Sequence, residues 1–169
     1  MHSRRDLEKL FPEDSPEAME RSLNRMVKVY RLVDRPTKGI YIHPRPNCKH
    51  GRLIEDIAKA MRPGCFNYVS LESALSEYSL ISQVMTSRIT IMTTGSAGTY
   101  QVGKYGTIEF IRTKRKPADI FANTFYSPDR PLRMATKETA LEDLRLLGRN
   151  LGMVEEDEFA DEEETSTET

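Results

Sequence analysis

The segment from residue 15 to residue 46 constrains the fold more than any other part of this chain. Ser15 can cap a helix, and Pro16 suits the first helical position, where its missing N–H leaves no backbone acceptor unsatisfied. Apolar residues then recur every three or four positions, which predicts an amphipathic helix. Its expected buried stripe is Met19, Leu23, Met26, Val27 and Tyr30. Residues 29–33 and 40–42 are expected to form two strands on either side of a turn at 34–39.

A helix followed directly by such a ribbon is typical of a winged helix-turn-helix, which presents one helix face to DNA. The spacing of the basic residues places them side by side on a second face of the helix. Phosphates attract such charges, while Arg and Asn can also bond base edges. The predicted DNA-binding residues are Arg21, Asn24, Arg25, Lys28, Arg31, Arg35 and Lys38. The alternative is a solvated basic face on a small helical domain.

Charge is distributed unevenly along the 169 residues. Residues 155–169 carry nine acidic side chains and no basic one, so the first 154 residues have a formal net charge of +8 although the whole chain has −1. This asymmetry indicates a polyanionic partner for the basic part and a disordered acidic tail at 155–169.

Residues 52–154 are predicted to form a second, mixed α/β domain after a proline-rich linker. Helices are expected at 53–61, at 71–78 and from Thr136 or Thr139 onward, with strands at 88–94, 99–102 and 106–111. Residues 114–133 are expected to be rich in loops. The predicted fold class is α+β, with a winged helix-turn-helix at 1–46 and a small, mainly antiparallel sheet in the second domain.

Two further motifs lie in the second domain. A basic run contains Arg112, Lys114, Arg115 and Lys116. It can be a second polyanion surface, or equally a solvated loop or a local partner of the acidic tail. The segment TTGSAGT at 93–99 follows a strand and lacks both the Gly-Lys-Ser/Thr ending and the helix of a phosphate loop, which favours a plain hairpin turn.

Chemistry-bearing residues form no recognisable catalytic or metal set. His43, Cys48, His50 and Cys65 have no CxxC pair or helical His spacing, so linker residues are a better interpretation than a zinc site. No nucleophile, base and orienting group occur together. We therefore expect neither an enzyme nor a bound metal or cofactor. The absence of a signal sequence or long apolar run, and the presence of only two cysteines, favour a cytoplasmic protein without a membrane partner.

Five segments together resemble the AbiEi family, the antitoxins of AbiE-type (type IV) toxin–antitoxin systems. They are GIYIHP at 39–44, YVSLESALSEYSLISQV at 68–84, ITIMTTG at 89–95, GTIEFIR at 106–112 and MATKETALEDLRLL at 134–147. Each is short, but they occur in the order and at the spacing of the family, and with the winged helix before them the resemblance covers roughly residues 5–150.

The resemblance implies a winged helix that binds inverted repeats in its own promoter and represses it. It also implies a second domain that neutralises a nucleotidyltransferase-like toxin, with which it need not form a stable complex. The DNA-binding role then falls on six residues of the helix and ribbon, and the basic run supplies candidates for the antitoxic surface. The six are Arg21, Asn24, Arg25, Lys28, Arg35 and Lys38. Two alternatives remain: a solitary regulator of a mobile element, and a protein-interaction module with a vestigial winged helix.

Overall fold

The structure, a computed structural model, describes residues 1–43, 52–81 and 87–149. The first range is called the N-terminal unit below. Its elements are β1 (His2–Ser3), α1 (Arg4–Leu10), α2 (Pro16–Lys28), β2 (Asp34–Thr37) and β3 (Ile40–Ile42). The three strands form an antiparallel sheet in the order β1-β3-β2. Ser15 caps α2 as predicted, because its hydroxyl accepts the backbone N–H of Ala18 at 3.2 Å.

The start of the ribbon, which consists of β2 and β3, differs from the prediction. Residues 29–33 do not form a strand. The N–H of Val29 still bonds to the carbonyl of Arg25 at 2.9 Å, so the last turn of α2 extends into this segment. The chain then reverses at Arg31, which has a φ of +51°. β2 occupies residues 34–37, which the sequence predicts as a turn, and the turn itself is only Lys38 and Gly39.

The apolar stripe of α2 is shorter than predicted. Met19 and Leu23 are buried and Val27 packs against them, whereas Met26 and Tyr30 are exposed by 38% and 58%. A helix followed by a β-ribbon is therefore present in residues 15–43. Its finer assignment to the winged helix-turn-helix class stays a prediction.

The remaining elements are called the C-terminal unit, which is larger than the N-terminal unit and contains both helices and strands. They are α3 (Leu53–Met61), β4 (Asn67–Val69), α4 (Leu71–Glu77), β5 (Arg88–Thr93), β6 (Gly98–Gln101), a 3-10 turn (Gly103–Tyr105), β7 (Thr107–Arg112), α5 (Pro117–Ala122), β8 (Thr124–Phe125), β9 (Arg133–Ala135) and α6 (Lys137–Leu146). Helix α3 has the predicted bounds, and α6 begins after Thr136, whose hydroxyl accepts the N–H of Thr139.

The sequence predicts a small, mainly antiparallel sheet, and the structure has a six-stranded mixed sheet in the order β6-β7-β5-β4-β9-β8. The pairs β5/β7 and β4/β9 are parallel, and the other three are antiparallel. Strands β4, β8 and β9 and helix α5 are not predicted by the sequence patterns. The α+β class itself is confirmed.

The hairpin predicted at residues 93–99 is wrong. Strands β5 and β6 do not pair, because β7 lies between them: β5 pairs with it in parallel and β6 pairs with it antiparallel. The connection therefore carries the chain across the end of β7 to its far side. The true hairpin joins β6 to β7 and ends at Gly106, whose φ of +113° and ψ of −151° are accessible only to glycine.

Strand β3 connects the two units. Ile40 and Ile42 belong to the main core, together with buried residues of the C-terminal unit such as Ile57 and Phe110. Tyr41, between them, belongs to the small core formed with Met19 and Leu23. Side chains of a strand alternate between its two faces, so one strand contributes to both cores. The boundary predicted between domains 1–46 and 52–154 thus does not separate the cores, and the linker at 44–51 lies outside the described residues.

Two polar contacts add to this junction. Asp34, at the start of β2, lies 2.7 Å from the ammonium of Lys104 and accepts the Tyr105 hydroxyl at 2.8 Å. Hydrogen bonds from Lys104 and then Tyr105 hold the pKa of the Asp34 carboxyl below its usual value. Both contacts fix the ribbon against the turn between β6 and β7.

A buried ion pair ties three segments of the C-terminal unit together. Arg130 is 4% exposed and contacts Glu55, which is 2% exposed, at 2.6 Å. The same guanidinium contacts Glu77 on α4 at 2.5 Å. Helices α3 and α4 are therefore joined to the segment before β9. No helix in the described ranges combines the length and apolar character needed to span a bilayer.

Candidate nucleic-acid interface

The basic face of α2 is built by helical spacing. Arg21, Arg25 and Lys28 are four and three residues apart, so they lie side by side, and all three are exposed. None of them forms an ion pair within the part of the chain that the structure describes; the Nε of Arg21 donates only to the carbonyl of Glu17, at 3.3 Å. Three uncompensated cations therefore face solvent along one side of α2.

Arg31 and Lys38 extend this charge beyond the helix. Arg31 lies at the reversal after α2, and Lys38 lies in the turn between β2 and β3. Both are exposed, and neither contacts a carboxylate among the described residues. Together with Arg21, Arg25 and Lys28 they form what is called the basic face below.

Asn24 and Arg35, which the sequence also assigns to DNA, are bonded to each other. The Arg35 Nη1 donates to the Asn24 Oδ1 at 3.4 Å and lies 3.7 Å from Glu20. The guanidinium of Arg35 also lies over the ring of Tyr41, at 5.7 Å from its centroid. Both side chains are half-buried, so they connect α2 to β2 and hold the basic face in place.

The acidic residues at the start of α2 are partly neutralised. Glu20 forms an ion pair with Arg4 of α1 at 2.7 Å. The unpaired positive charge therefore lies toward the carboxyl-terminal half of α2, where cations also interact favourably with the helix dipole.

The basic run at 112–116 divides into two classes of residue. Arg112, Lys114 and Lys116 are exposed. Arg115 is not available as a surface cation, because it contacts Glu142 at 2.7 Å and the buried Asp143 at 3.0 Å. Burial alone lowers the Arg115 pKa, but the hydrogen bonds that its guanidinium donates to both carboxylates outweigh this effect, and the net change is upward. The run borders a groove of about 470 Å³ along the end of α6.

Asp143 is the centre of a buried polar network beside this groove. Its carboxylate accepts the hydroxyls of Ser70 at 2.8 Å and of Tyr68 at 3.2 Å, besides the Arg115 guanidinium. Burial, and then the negative charge of Asp143, raise the pKa of Tyr68 to about 12. The network was not foreseen from the sequence, although one signal was available. Asp143 falls on the helical stripe of Ala140, Leu144 and Leu147, where an apolar residue would be expected.

The described residues contain no group of three or more His, Cys, Asp or Glu side chains placed to hold a metal ion. Cys65 is a half-buried free thiol, and Cys48 and His50 lie outside the described residues. The acidic tail at 155–169 also lies outside them.

Comparison with known proteins identifies no relative: no protein-family model, no curated protein and no solved structure matches this chain. The resemblance to AbiEi antitoxins stays a prediction. The function is therefore argued from the basic face and the groove.

Proposed function

We propose that this chain binds double-stranded DNA through the basic face and represses the promoter it binds. The observation that carries the proposal is the exposure of five cations on α2, on the reversal after it and at the ribbon tip, none of which has a carboxylate partner among the described residues. When such cations neutralise DNA phosphates, the counterions condensed on the duplex are released into the solvent, which favours binding. A helix and a ribbon are also elements that fit a major groove.

The basic face predicts a specific manner of contact. Because Glu17 and Glu20 lie near the start of α2, its carboxyl-terminal half approaches the duplex. Arg25 is at the centre of the exposed cations and is assigned to a base edge or phosphate. Lys38 at the ribbon tip is assigned to the backbone. Asn24 and Arg35 are assigned a positioning role, since the Asn24 Oδ1 accepts a hydrogen bond from the Arg35 Nη1.

The second part of the proposal rests on the sequence resemblance. We assign this chain the role of a cytoplasmic, non-enzymatic antitoxin that neutralises a nucleotidyltransferase-like toxin. Arg112, Lys114 and Lys116 are the exposed members of the basic run and are the candidates for that surface. Arg115 is not a candidate, because its guanidinium is already bound to two carboxylates of α6.

Fluorescence anisotropy with labelled duplexes tests DNA binding directly. The upstream region of the gene should bind more tightly than a duplex of the same composition with scrambled order. Five neutralised phosphates predict that log K falls with log[salt] with a slope of about −4.5. Lys9→Ala is the matched control, because Lys9 is an exposed cation of α1 outside the basic face. Equal and salt-independent affinity for both duplexes would refute the proposal.

The alternatives give different results. A solitary regulator binds its promoter but does not rescue growth when co-expressed with the neighbouring gene. An interaction module with a vestigial winged helix binds no duplex at all. Growth rescue that survives loss of DNA binding in an Arg25→Ala, Lys28→Ala variant would separate the antitoxic role from the repressor role.

A further inference from the structure

A basic cleft of about 540 Å³ lies between the ribbon tip, the start of α1 and the end of α3. Its volume is within the range of small-molecule sites, and it lies at a junction between units, where such sites are common. The charged side chains that line it are Arg4, Arg5, Lys38 and Arg62. None of the described residues that line the cleft carries a carboxylate. The cleft is therefore concave and lined by charge of one sign.

Three of these four cations are uncompensated. Arg4 is neutralised by Glu8 at 2.9 Å and by Glu20 at 2.7 Å. Arg5, Lys38 and Arg62 form no ion pair with any residue that the structure describes. Like charges around a concave surface repel each other and focus a positive potential into it, which raises the local concentration of anions.

Arg62 is held in place before any ligand binds. It follows α3, and its guanidinium lies 4.5 Å from the centroid of the Phe110 ring and 5.1 Å from that of Tyr100. It donates to the carbonyl of Ser96 at 3.2 Å, to that of Met61 at 3.1 Å and to the Tyr100 hydroxyl at 2.8 Å.

These bonds leave part of the guanidinium available. Arginine has five N–H donors in a planar fork, and three are used here. One N–H on Nη1 and one on Nη2 therefore remain for a phosphate oxygen, and a side chain that is already ordered loses little entropy when it binds one.

We propose that this cleft binds a small phosphate-bearing ligand through Arg5, Lys38 and Arg62. The shared chemistry is a phosphate or diphosphate group, which inorganic pyrophosphate or a nucleotide can supply. The site is separate from the exposed face of α2, and only Lys38 is common to both.

Titration calorimetry on the full chain at low salt, with sodium pyrophosphate and with ATP, tests the proposal. Both ligands should bind with one site. Arg5→Ala and Lys38→Ala should each weaken binding about tenfold, the effect of one lost charge-assisted hydrogen bond. Lys9→Ala removes an exposed cation from the same helix as Arg5 but outside the cleft, so it should bind like the wild type. Tighter binding of ATP would assign the cleft to nucleotides, and equal binding would assign it to the phosphate group alone.

Several outcomes would overturn the proposal. One is the absence of saturable binding of either ligand at millimolar concentration. Another is equal affinity in Arg5→Ala and Lys9→Ala. Arg62→Gln provides a further check where its thermal unfolding matches the wild type, because unchanged affinity would again contradict the assignment.

The same variants separate this proposal from DNA binding. Arg25→Ala should reduce duplex affinity and leave pyrophosphate affinity unchanged, whereas Arg5→Ala should do the reverse. If Arg5→Ala and Arg62→Gln weaken duplex binding as much as pyrophosphate binding, the cleft is part of the DNA interface and the small-ligand proposal fails. Absence of DNA binding would leave the pyrophosphate result intact.

Discussion

Replacing Tyr68 with Phe should lower stability at neutral pH and raise it at high pH. At pH 7 the variant loses the hydroxyl that donates to Asp143 at 3.2 Å, which costs about 1 kcal/mol. Asp143 keeps its bonds from Ser70 and Arg115, so the carboxylate stays paired.

The effect changes sign because the pKa of Tyr68 differs between the two states. It is about 12 in the folded chain, and a tyrosine in an unfolded chain has a pKa of about 10. Between these values the unfolded state loses the proton first, so the folded state binds more protons and wild-type stability falls as pH rises. A difference of two pKa units limits this loss to about 2.7 kcal/mol, of which about 2 kcal/mol has occurred by pH 12. Phenylalanine does not ionise, so Tyr68→Phe should be the more stable protein there by about 1 kcal/mol.

Urea unfolding followed by circular dichroism, at intervals from pH 7 to pH 12, measures the difference. Other groups that titrate in this range are common to both proteins and cancel in the comparison. Ser70→Ala is the matched control, because it removes the other hydroxyl on Asp143 without removing an ionisable group. The loss of unfolding free energy in Ser70→Ala, relative to the wild type, should stay constant with pH. A deficit of Tyr68→Phe that is equally constant would refute the account of the buried network.

Three further outcomes are expected. Arg130→Met should cost about 3–5 kcal/mol in urea unfolding, because it leaves the buried Glu55 without its main partner. Adding Glu55→Gln should recover part of that loss. If the unfolding free-energy changes of the two single variants simply add in the double variant, the pairing would be contradicted. Arg25→Ala should make the slope of log K against log[salt] for duplex DNA less negative by about 0.9, and an unchanged slope would remove Arg25 from the interface. Gly106→Ala should cost more than about 2 kcal/mol, because a Cβ there would lie 2.4 Å from the carbonyl oxygen of Ser87 and the φ is +113°. A thermal unfolding midpoint equal to that of the wild type would contradict this reasoning.

Elements governed by local chemistry could be predicted from the sequence. Helix α3 and strand β3 have the predicted bounds, since their apolar spacing is flanked by Pro and Gly on the appropriate side. Ser15 caps α2 because a hydroxyl at that position satisfies a helix N–H whatever the tertiary fold.

Elements that depend on long-range pairing could not be predicted. Strands β4 and β9 have three residues each, too few for a periodicity, and they exist because β5 and each other supply partners. The sequence at 93–99 predicts a turn between two strands, but it does not specify that β7 lies between the strands that this segment joins.

The same distinction applies to the candidate site. The common face of Arg21, Arg25 and Lys28 follows from helical spacing alone. That Asn24 and Arg115 are engaged elsewhere depends on partners distant in sequence, namely Arg35 and Asp143. Fold context thus decides which members of a basic cluster remain available, and composition does not.

Strand β3 has a consequence for how this protein can change over evolution or be engineered. Because Ile40 and Ile42 are anchored in the larger hydrophobic interior and Tyr41 in the smaller one, residues 1–43 are not a transferable cassette. Grafting them onto another protein would leave two isoleucines without a partner surface, and a substitution that displaces β3 would also disturb the packing of Tyr41 against α2. Any specificity for a nucleic acid is therefore inherited together with the whole body of the protein.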